Sequence, residues 1–211
     1  MNKSALITLK TLAWLAFLAP LARLVWGAAT GDLGPDPTAK ITFATGATAL
    51  NLLTISLALT PVRRLIPELS WLVKFRRLVG LFAFFYATLH LATYVVLYAN
   101  FDLNAMAADI AKRRYITMGL AAWLLLLPLA ATSTNWAIRK LGGKRWNRLH
   151  KLVYLAAVCG VIHYWWQVKP GVLAPLSNTI ILGLLLISRP MWTLWQQRLR
   201  NRKAVPSPAA D

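Results

Sequence analysis

Six long apolar stretches constrain this chain more than any other feature of its sequence. A helix that crosses the hydrocarbon core of a bilayer needs about 20 mostly apolar residues. The stretches have roughly this length and cover residues 9–28, 42–60, 78–99, 115–133, 149–167 and 176–195. We therefore predict an all-α, polytopic membrane protein built as a six-transmembrane-helix bundle. A water-soluble enzyme is not expected, since 58% of the residues are hydrophobic and only 14% are charged.

The six stretches leave room for a single domain. We expect residues 1–198 to form one transmembrane domain and residues 199–211 to form a short basic, disordered cytoplasmic tail, whose small residues and prolines cannot build a core. The first stretch follows Lys3 and Lys10, as the apolar region of a secretory signal does. It stays apolar as far as Trp26 and further spans follow it, so we expect it to be retained as a helix.

The excess of basic residues indicates the orientation of the chain in the membrane. Lys and Arg number 24 against 6 Asp and Glu, and cytoplasmic loops are rich in Lys and Arg. With both termini in the cytoplasm, most basic residues fall on the inner side, whereas Asp32, Asp36, Asp102 and Asp109 fall on the outer side. We therefore predict cytoplasmic termini. The lipid bilayer accounts for the basic charge, and nucleic acid is not an expected partner.

Three histidines lie in or at the ends of the predicted spans, where an ionisable group is costly and is usually functional. His90 follows Arg77 by 13 positions, and His163 follows His150 by the same 13 positions. At 1.5 Å per residue, each of the two outer histidines is about 20 Å from the inner edge of its span. Both spans run outward, so we expect His90 and His163 to face each other at one depth.

Two neutral imidazoles that face each other in an apolar bundle suit a six-coordinate b-type haem. A catalytic zinc ion normally takes three protein ligands, and no Asp, Glu or Cys lies at that depth. The alternative is that each histidine only bonds a neighbour such as Thr88, Thr93 or Tyr164. The single cysteine, Cys159, excludes an intrachain disulfide and a cysteine-ligated iron–sulfur cluster.

His150 indicates a second locus on the inner side. It shares a helix with His163 but lies too far along it to bind the same metal ion. The matching position of the third span is Arg77, whose guanidinium stays protonated and cannot readily ligate iron. His150 is therefore a candidate iron ligand and Arg77 a candidate cofactor-binding residue, and a second haem stays an open alternative.

Two basic clusters are candidates for holding anionic groups. On the outer side, Lys112, Arg113 and Arg114 open the fourth span, where they would pair with haem propionates or form a solvated cluster or a docking surface. The inner cluster would hold propionates or a flavin phosphate, although orientation alone accounts for its members, Arg76, Arg77, Lys144, Arg145 and Arg148. The sequence has no GxGxxG or Walker motif, so we expect electrons from a quinone or a separate cytoplasmic flavin reductase.

Several motifs between about residue 20 and about residue 198 resemble the MsrQ (YedZ) family. They are Thr45-Gly46 with Thr60-Pro61-Val62-Arg63-Arg64, Arg76-Arg77-Leu78-Val79-Gly80-Leu81 before His90, and the run from Lys144 to Tyr154 before His163-Tyr164. That family provides the haem-binding inner-membrane subunit of a bacterial periplasmic methionine sulfoxide reductase system. It belongs to the ferric reductase-like transmembrane group, which includes NADPH oxidases and STEAP proteins.

The resemblance implies more than the residue pattern does. It implies haem b, together with FMN, for which no residue can be named, and a multi-pass location in the cell inner membrane. It also implies electron transfer from the quinone pool or a flavin reductase to MsrP, the molybdopterin-containing subunit that repairs oxidised methionines in periplasmic proteins. The larger relatives hold two stacked haems between four histidines, so Arg77 is a departure from their pattern.

Two other functions fit part of the sequence. The first is a standalone quinone-linked or ferric-reductase-like cytochrome b that acts at the outer surface without a protein partner. The second is a small proton-coupled permease whose histidines relay protons. A permease of that kind is expected to carry intramembrane carboxylates, and the six predicted spans contain no Asp or Glu.

Overall fold

The computed structural model describes residues 2–169, 171 and 173–204. This part of the chain contains nine α-helices and no strand, which confirms the all-α prediction. The helices are α1 Lys3–Thr30, α2 Pro37–Leu65, α3 Arg76–Thr93, α4 Leu103–Lys112, α5 Arg114–Ala131, α6 Asn135–Leu141, α7 Gly143–Leu149, α8 Leu152–Gln167 and α9 Ala174–Ala204. A 3₁₀ segment, Pro67–Phe75, leads into α3, and a π-helical segment, Tyr94–Tyr98, continues it.

Five helical stretches among the described residues are long and apolar enough to cross a membrane, which supports a multi-pass membrane protein. They are Ser4–Thr30, Pro37–Leu65, Pro67–Tyr98, Arg114–Ala131 and Ala174–Asn201. The remaining predicted span, residues 149–167, corresponds to α8, which has 16 residues. It is shorter than predicted because α7 ends at Leu149 and the chain turns at His150 and Lys151 before α8 begins.

Two helix pairs make up the bundle. Helix α2 packs along α3, α5 packs along α8, and contacts between α3 and α5 join the two pairs. Helix α9 lies against α2 and α8, and α1 lies against α2. Ala83, Ala156 and Ala157 are buried within the pairs, where small side chains let helix backbones approach closely.

Tyr86 attaches α1 to the rest of the bundle. Its buried hydroxyl donates to the carbonyl of Phe17 at 2.7 Å and accepts from the amide of Leu21 at 3.1 Å. The hydroxyl therefore sits within the backbone hydrogen-bond ladder of α1, next to Pro20, which has no amide proton to donate. In an apolar bundle such a side chain satisfies backbone groups that would otherwise be costly to bury.

Helix α9 is longer than the last apolar stretch. It extends to Ala204 and so includes residues 199–204, the start of the segment that we expected to be a disordered tail. No helix-breaking residue lies between Leu199 and Ala204, and the first proline after them is Pro206. Residues 205–211 lie outside the described part of the chain.

Candidate metal centre

His90 on α3 and His163 on α8 face each other across the bundle. Their ring centroids are 5.8 Å apart, and the ring planes are inclined by 79°. Both rings are partly buried. The equal spacing of each histidine from the inner edge of its span therefore identified two residues that the fold brings together.

Each of the two rings is fixed by one hydrogen bond to a backbone carbonyl of the neighbouring helix. Nδ1 of His90 donates to Thr42 on α2 at 2.9 Å, and Nδ1 of His163 donates to Tyr115 on α5 at 2.6 Å. A carbonyl oxygen can only accept, so the proton lies on Nδ1 and the lone pair lies on Nε2. Metal-ligating histidines are oriented in the same way, by a hydrogen bond that the other ring nitrogen donates.

The hydrogen-bond partners of the rings differ from those that we named as the alternative to metal binding. Thr88 donates to the carbonyl of Phe84, and Thr93 donates to the backbone carbonyl of His90 rather than to its ring. Within the described residues, Nε2 of His90 and of His163 has no hydrogen-bond partner. The two nitrogen lone pairs are therefore available to a ligand.

A glycine lies against each ring. A Cβ atom at Gly46 on α2 would be 2.9 Å from Cε1 of His90, and one at Gly119 on α5 would be 2.8 Å from Nδ1 of His163. Any larger residue would push the ring away from the carbonyl that orients it. Sequence reasoning used Gly46 only as part of a family motif and did not single out Gly119.

The two halves of the centre are built in the same way. Positions 42, 46 and 90 supply a carbonyl, a glycine and a histidine, and a shift of 73 positions gives the same three features at 115, 119 and 163. The same shift relates Arg77 to His150. This internal repeat was not evident from the sequence because few other positions are retained, although superposing the two histidine-bearing spans would have found it.

The donor set fits a metal ion that takes two histidines on opposite sides. Bonds of about 2 Å from one metal to two opposed imidazole nitrogens would place the ring centres roughly 6 Å apart, close to the observed separation. The described part of the chain holds no group of three or more His, Cys, Asp or Glu residues that could bind a metal. A macrocycle that supplies the other ligands is therefore the better match to this pair.

Trp123 packs beside the centre. Its indole Nε1 donates to the hydroxyl of Thr88 at 3.0 Å, and its ring stacks on Phe84 with centroids 6.0 Å apart. Trp14 on α1 packs edge-on against Phe82, with ring centroids 4.7 Å apart. Both tryptophans therefore pack against neighbouring aromatic rings of α3.

His150 lies apart from the facing pair. Its ring stacks on Trp146 with centroids 3.7 Å apart, and its Nε2 is 3.1 Å from the hydroxyl of Thr132. That hydroxyl donates to the carbonyl of Pro128 at 2.6 Å, so it accepts from the histidine, and Nδ1 of His150 keeps the lone pair.

Arg77 also lies away from the facing pair. Its Nη1 donates to Oδ1 of Asn135 at 2.8 Å, which links the start of α3 to α6. Arg77 and His150 both line a cavity of about 880 Å³ at the end of the helix pairs where α3 begins. The structure therefore places these two candidate residues together, at a second locus.

The outer basic cluster touches the centre through Tyr115. Arg113 forms a 3.0 Å ion pair with Asp109 and donates to the hydroxyl of Tyr115 at 3.3 Å. The hydrogen bond to Tyr115, with help from Asp109, raises the pKa of the Arg113 guanidinium. Lys112 and Arg114 are exposed. Tyr115 thus links this cluster to His163, because its carbonyl is the hydrogen-bond acceptor of that ring.

Comparison with known proteins agrees with this construction. Residues 44–161 match the family described as "Ferric reductase like transmembrane component". The chain is 44% identical over 198 residues to the "Protein-methionine-sulfoxide reductase heme-binding subunit MsrQ" of Herminiimonas arsenicoxydans, covering 93% of this chain and 90% of the relative. The protein of the same name from Rhodospirillum rubrum is 52% identical over 176 residues, covering 82% of this chain and 84% of the relative.

A third relative extends the similarity over nearly the whole chain. The MsrQ protein of Xanthomonas axonopodis pv. citri is 43% identical over 214 residues, covering 99% of this chain and 97% of the relative. Identity of this level over most of both chains goes well beyond a shared membrane architecture. The chain therefore belongs to the MsrQ family, within the ferric reductase-like transmembrane group.

Proposed function

We propose that this protein is the haem-binding, electron-transferring membrane subunit of a methionine sulfoxide reductase system. The observation that carries the proposal is the facing pair His90 and His163, each held through Nδ1 so that Nε2 keeps its lone pair. The relatives' name, heme-binding subunit, supports the assignment of haem to this pair. The chain acts as an electron carrier and leaves substrate chemistry to another subunit.

The group between the two histidines would be haem b. Covalent attachment of the c type uses a CxxCH motif, which a chain with one cysteine cannot supply. When bound, the haem supplies a one-electron iron couple whose potential depends on its axial ligands and surroundings. His90 and His163 would hold the haem iron through Nε2, so one haem is expected at this centre.

The chain's own residues prepare this centre in advance. The carbonyls of Thr42 and Tyr115 hold the two imidazoles in one tautomer, which fixes the direction of each Nε2 lone pair. Gly46 and Gly119 let the rings lie close to α2 and α5. The two imidazoles would therefore keep their positions with or without a bound haem, as a centre for repeated electron transfer requires.

We place the chain in the cell inner membrane with six spans and cytoplasmic termini. Helix α8 would be the fifth of these spans, since its 16 residues are among the most apolar of the chain and it packs along α5. The distribution of basic residues supports this orientation. His90 and His163 then lie in the outer half of the bilayer, on the side of the periplasmic partner.

Electrons would enter from the cytoplasmic side or from the membrane and leave at the outer face. The donor would be the quinone pool or a cytoplasmic flavin reductase, and the acceptor would be the molybdopterin-containing MsrP. The family resemblance also implies FMN, which would need a site for its phosphate on the same chain. His150 and Arg77 are the cofactor-binding candidates on the inner side.

A reoxidation assay tests this function. The purified protein would be loaded with haem in nanodiscs, reduced, and mixed in a stopped-flow instrument with the MsrP encoded by the same organism. We expect the reduced haem to be reoxidised in the presence of MsrP and methionine sulfoxide, at a rate that rises with MsrP concentration. Reoxidation by ferric chelates but not by MsrP would instead favour a standalone cytochrome b.

A further inference from the structure

Arg189 is a charged residue in the middle of a long apolar helix. It lies in the stretch Ala174–Asn201 of α9, which is able to span a membrane, and its side chain is partly buried. An ionisable side chain is costly within a membrane span, and those that occur there usually have a function. The hydrogen bonds of the histidine pair do not involve Arg189, so its charge needs a separate explanation.

Two hydrogen bonds hold the guanidinium of Arg189 against neighbouring helices. Nη1 donates at 2.6 Å to the hydroxyl oxygen of Tyr154 on α8, and Nη2 donates at 2.9 Å to the carbonyl of Leu57 on α2. The guanidinium carbon also lies 4.7 Å from the centre of the Tyr154 ring. The charge is therefore fixed within the bundle, where α2, α8 and α9 pack together.

The contact with Leu57 compensates a defect in α2. Pro61 follows Leu57 by four positions and has no amide proton, so the carbonyl of Leu57 lacks its usual helical partner. Arg189 supplies a hydrogen-bond donor in its place. A neutral side chain such as that of glutamine would also supply a donor. The defect therefore explains the hydrogen bond and does not explain the positive charge.

No described carboxylate neutralises Arg189. The one ion pair among the described residues joins Arg113 to Asp109, and the charged neighbours that act on Arg189 are two further arginines, Arg64 and Arg76. Nε of Arg189 is buried and has no hydrogen-bond partner in the described part of the chain. Because water screens a charge at such a site only weakly, this charge acts over a longer distance than an exposed one does.

The two helices that the guanidinium contacts also build the histidine pair. On α8, Tyr154 precedes His163 by nine positions, which is about 14 Å along the helix. On α2, Leu57 follows Gly46, the glycine against the other histidine ring, by 11 positions, or about 17 Å. The charge of Arg189 therefore lies roughly 15 Å from the level of the facing histidines.

A positive charge at this distance favours the reduced form of a haem that the pair holds. One electron added to ferric iron gives ferrous iron and lowers the charge of the centre by one unit, so the repulsion from Arg189 falls on reduction. With an effective dielectric constant of about 20, one unit charge about 15 Å away changes the ratio of the two forms roughly fivefold. The sign is that of a raised reduction potential.

We propose that Arg189 raises the reduction potential of the haem between His90 and His163 through its uncompensated charge, and so sets how readily this centre accepts an electron. The inference rests on the proposed function, because it needs a haem at the pair. It gives Arg189 a second role besides its hydrogen bond to Leu57. The two roles are separable, since charge and hydrogen-bond donation can be changed independently.

A redox titration of the haem α band measures the effect. The haem-loaded full chain would be titrated in phosphatidylcholine nanodiscs, and the ratio of reduced to oxidised haem would be compared at one applied potential. Arg189→Gln removes the charge and keeps a donor for Leu57, so we expect this ratio to fall about fivefold. An unchanged ratio in Arg189→Gln would overturn the proposal.

Three control variants separate the charge of Arg189 from its contacts. Tyr154→Phe removes the acceptor of Nη1, and Pro61→Ala gives the carbonyl of Leu57 a helical donor again. Both keep the charge and should keep the wild-type ratio. The matched charge control is Arg198→Gln on the same helix, where the side chain is exposed and its charge is screened by water. A fall in Arg198→Gln as large as in Arg189→Gln would contradict a specific role of Arg189.

The double variant Pro61→Ala/Arg189→Gln tests whether packing explains the result. It should unfold at a higher temperature than Arg189→Gln, because the helical bond of Leu57 is restored, while the ratio of reduced to oxidised haem stays low. A ratio that returned to the wild-type value together with the stability would show a structural effect and would overturn the proposal. A wild type without the haem spectrum would contradict the proposed function itself, whereas an intact spectrum with an unchanged ratio contradicts only the role of Arg189.

Discussion

Gly119 lies so close to the ring of His163 that a Cβ atom at this position would be 2.8 Å from Nδ1. That nitrogen is the one that donates to the carbonyl of Tyr115. The glycine therefore leaves room for the ring position in which Nδ1 reaches this carbonyl and Nε2 keeps its lone pair. Gly46 lies equally close to the ring of His90. Each of the two histidine rings therefore needs a glycine on the neighbouring helix.

The first prediction follows from this contact. Gly119→Ala and Gly46→Ala should each lower the haem content of the purified protein several-fold, because the displaced imidazole loses its carbonyl partner, an interaction that typically contributes about 1 kcal/mol. Haem per chain is measured as the pyridine haemochrome. The matched control is Gly183→Ala in α9, where an added Cβ has no neighbour within 4 Å; a loss as large as in the two site variants would contradict the argument.

The second prediction concerns Tyr86. Tyr86→Phe removes the hydroxyl that bonds Phe17 and Leu21 and leaves two backbone groups of α1 without that partner. We expect a destabilisation of about 1–3 kcal/mol, measured by reversible denaturation in mixed micelles, with the Soret band retained in the folded protein. The exposed Tyr98 provides the control. If Tyr98→Phe were equally destabilising, the attachment of α1 through Tyr86 would not explain the effect.

The third prediction addresses the number of haems. We expect one haem per chain in the wild type and the same value in His150→Ala, because Nε2 of His150 is bonded to Thr132 and Arg77 cannot be the opposite ligand. The measurement is haem-to-protein stoichiometry by haemochrome and amino-acid analysis. A wild-type value near two that falls to one in His150→Ala would instead establish a second haem at the inner locus.

The fourth prediction concerns the outer basic residues. Lys112 and Arg114 are exposed, so we expect them to attract an acidic partner. Replacing both by Gln should slow reoxidation by MsrP about tenfold at low salt and much less at high salt, as expected for electrostatic steering. Haem content should stay unchanged. A fall in haem content with no change in salt dependence would assign these residues to the haem propionates.

The sequence was sufficient to predict the helical class and the facing histidine pair. Span length and the depth of His90 and His163 depend on helical rise and bilayer thickness, which are nearly constant. The shorter α8 was missed because hydropathy does not register the turn at His150 and Lys151. Hydropathy also gives no end for helix α9, which continues past the last apolar stretch to Ala204.

The finer construction of the site could not be predicted from one sequence. The imidazoles donate to the main-chain carbonyls of Thr42 and Tyr115. Every residue has such a carbonyl, so the side chains at these positions do not indicate the contact. Gly119 looked like an ordinary helical glycine because its role depends on a ring from another helix. Nη2 of Arg189 donates to the carbonyl of Leu57, which lacks its usual helical partner because Pro61 has no amide proton. This contact could not be predicted because Arg189 lies far from α2 in sequence.

The visible absorption spectrum of haem-loaded protein tests the central claim most directly. Two axial imidazoles predict a low-spin spectrum, with a sharp Soret band and well-defined α and β bands after reduction. His90→Ala and His163→Ala should each lose this spectrum, whereas His150→Ala should keep it. A wild-type low-spin spectrum that survives unchanged in His90→Ala or His163→Ala would show that the iron is held elsewhere and would contradict the account.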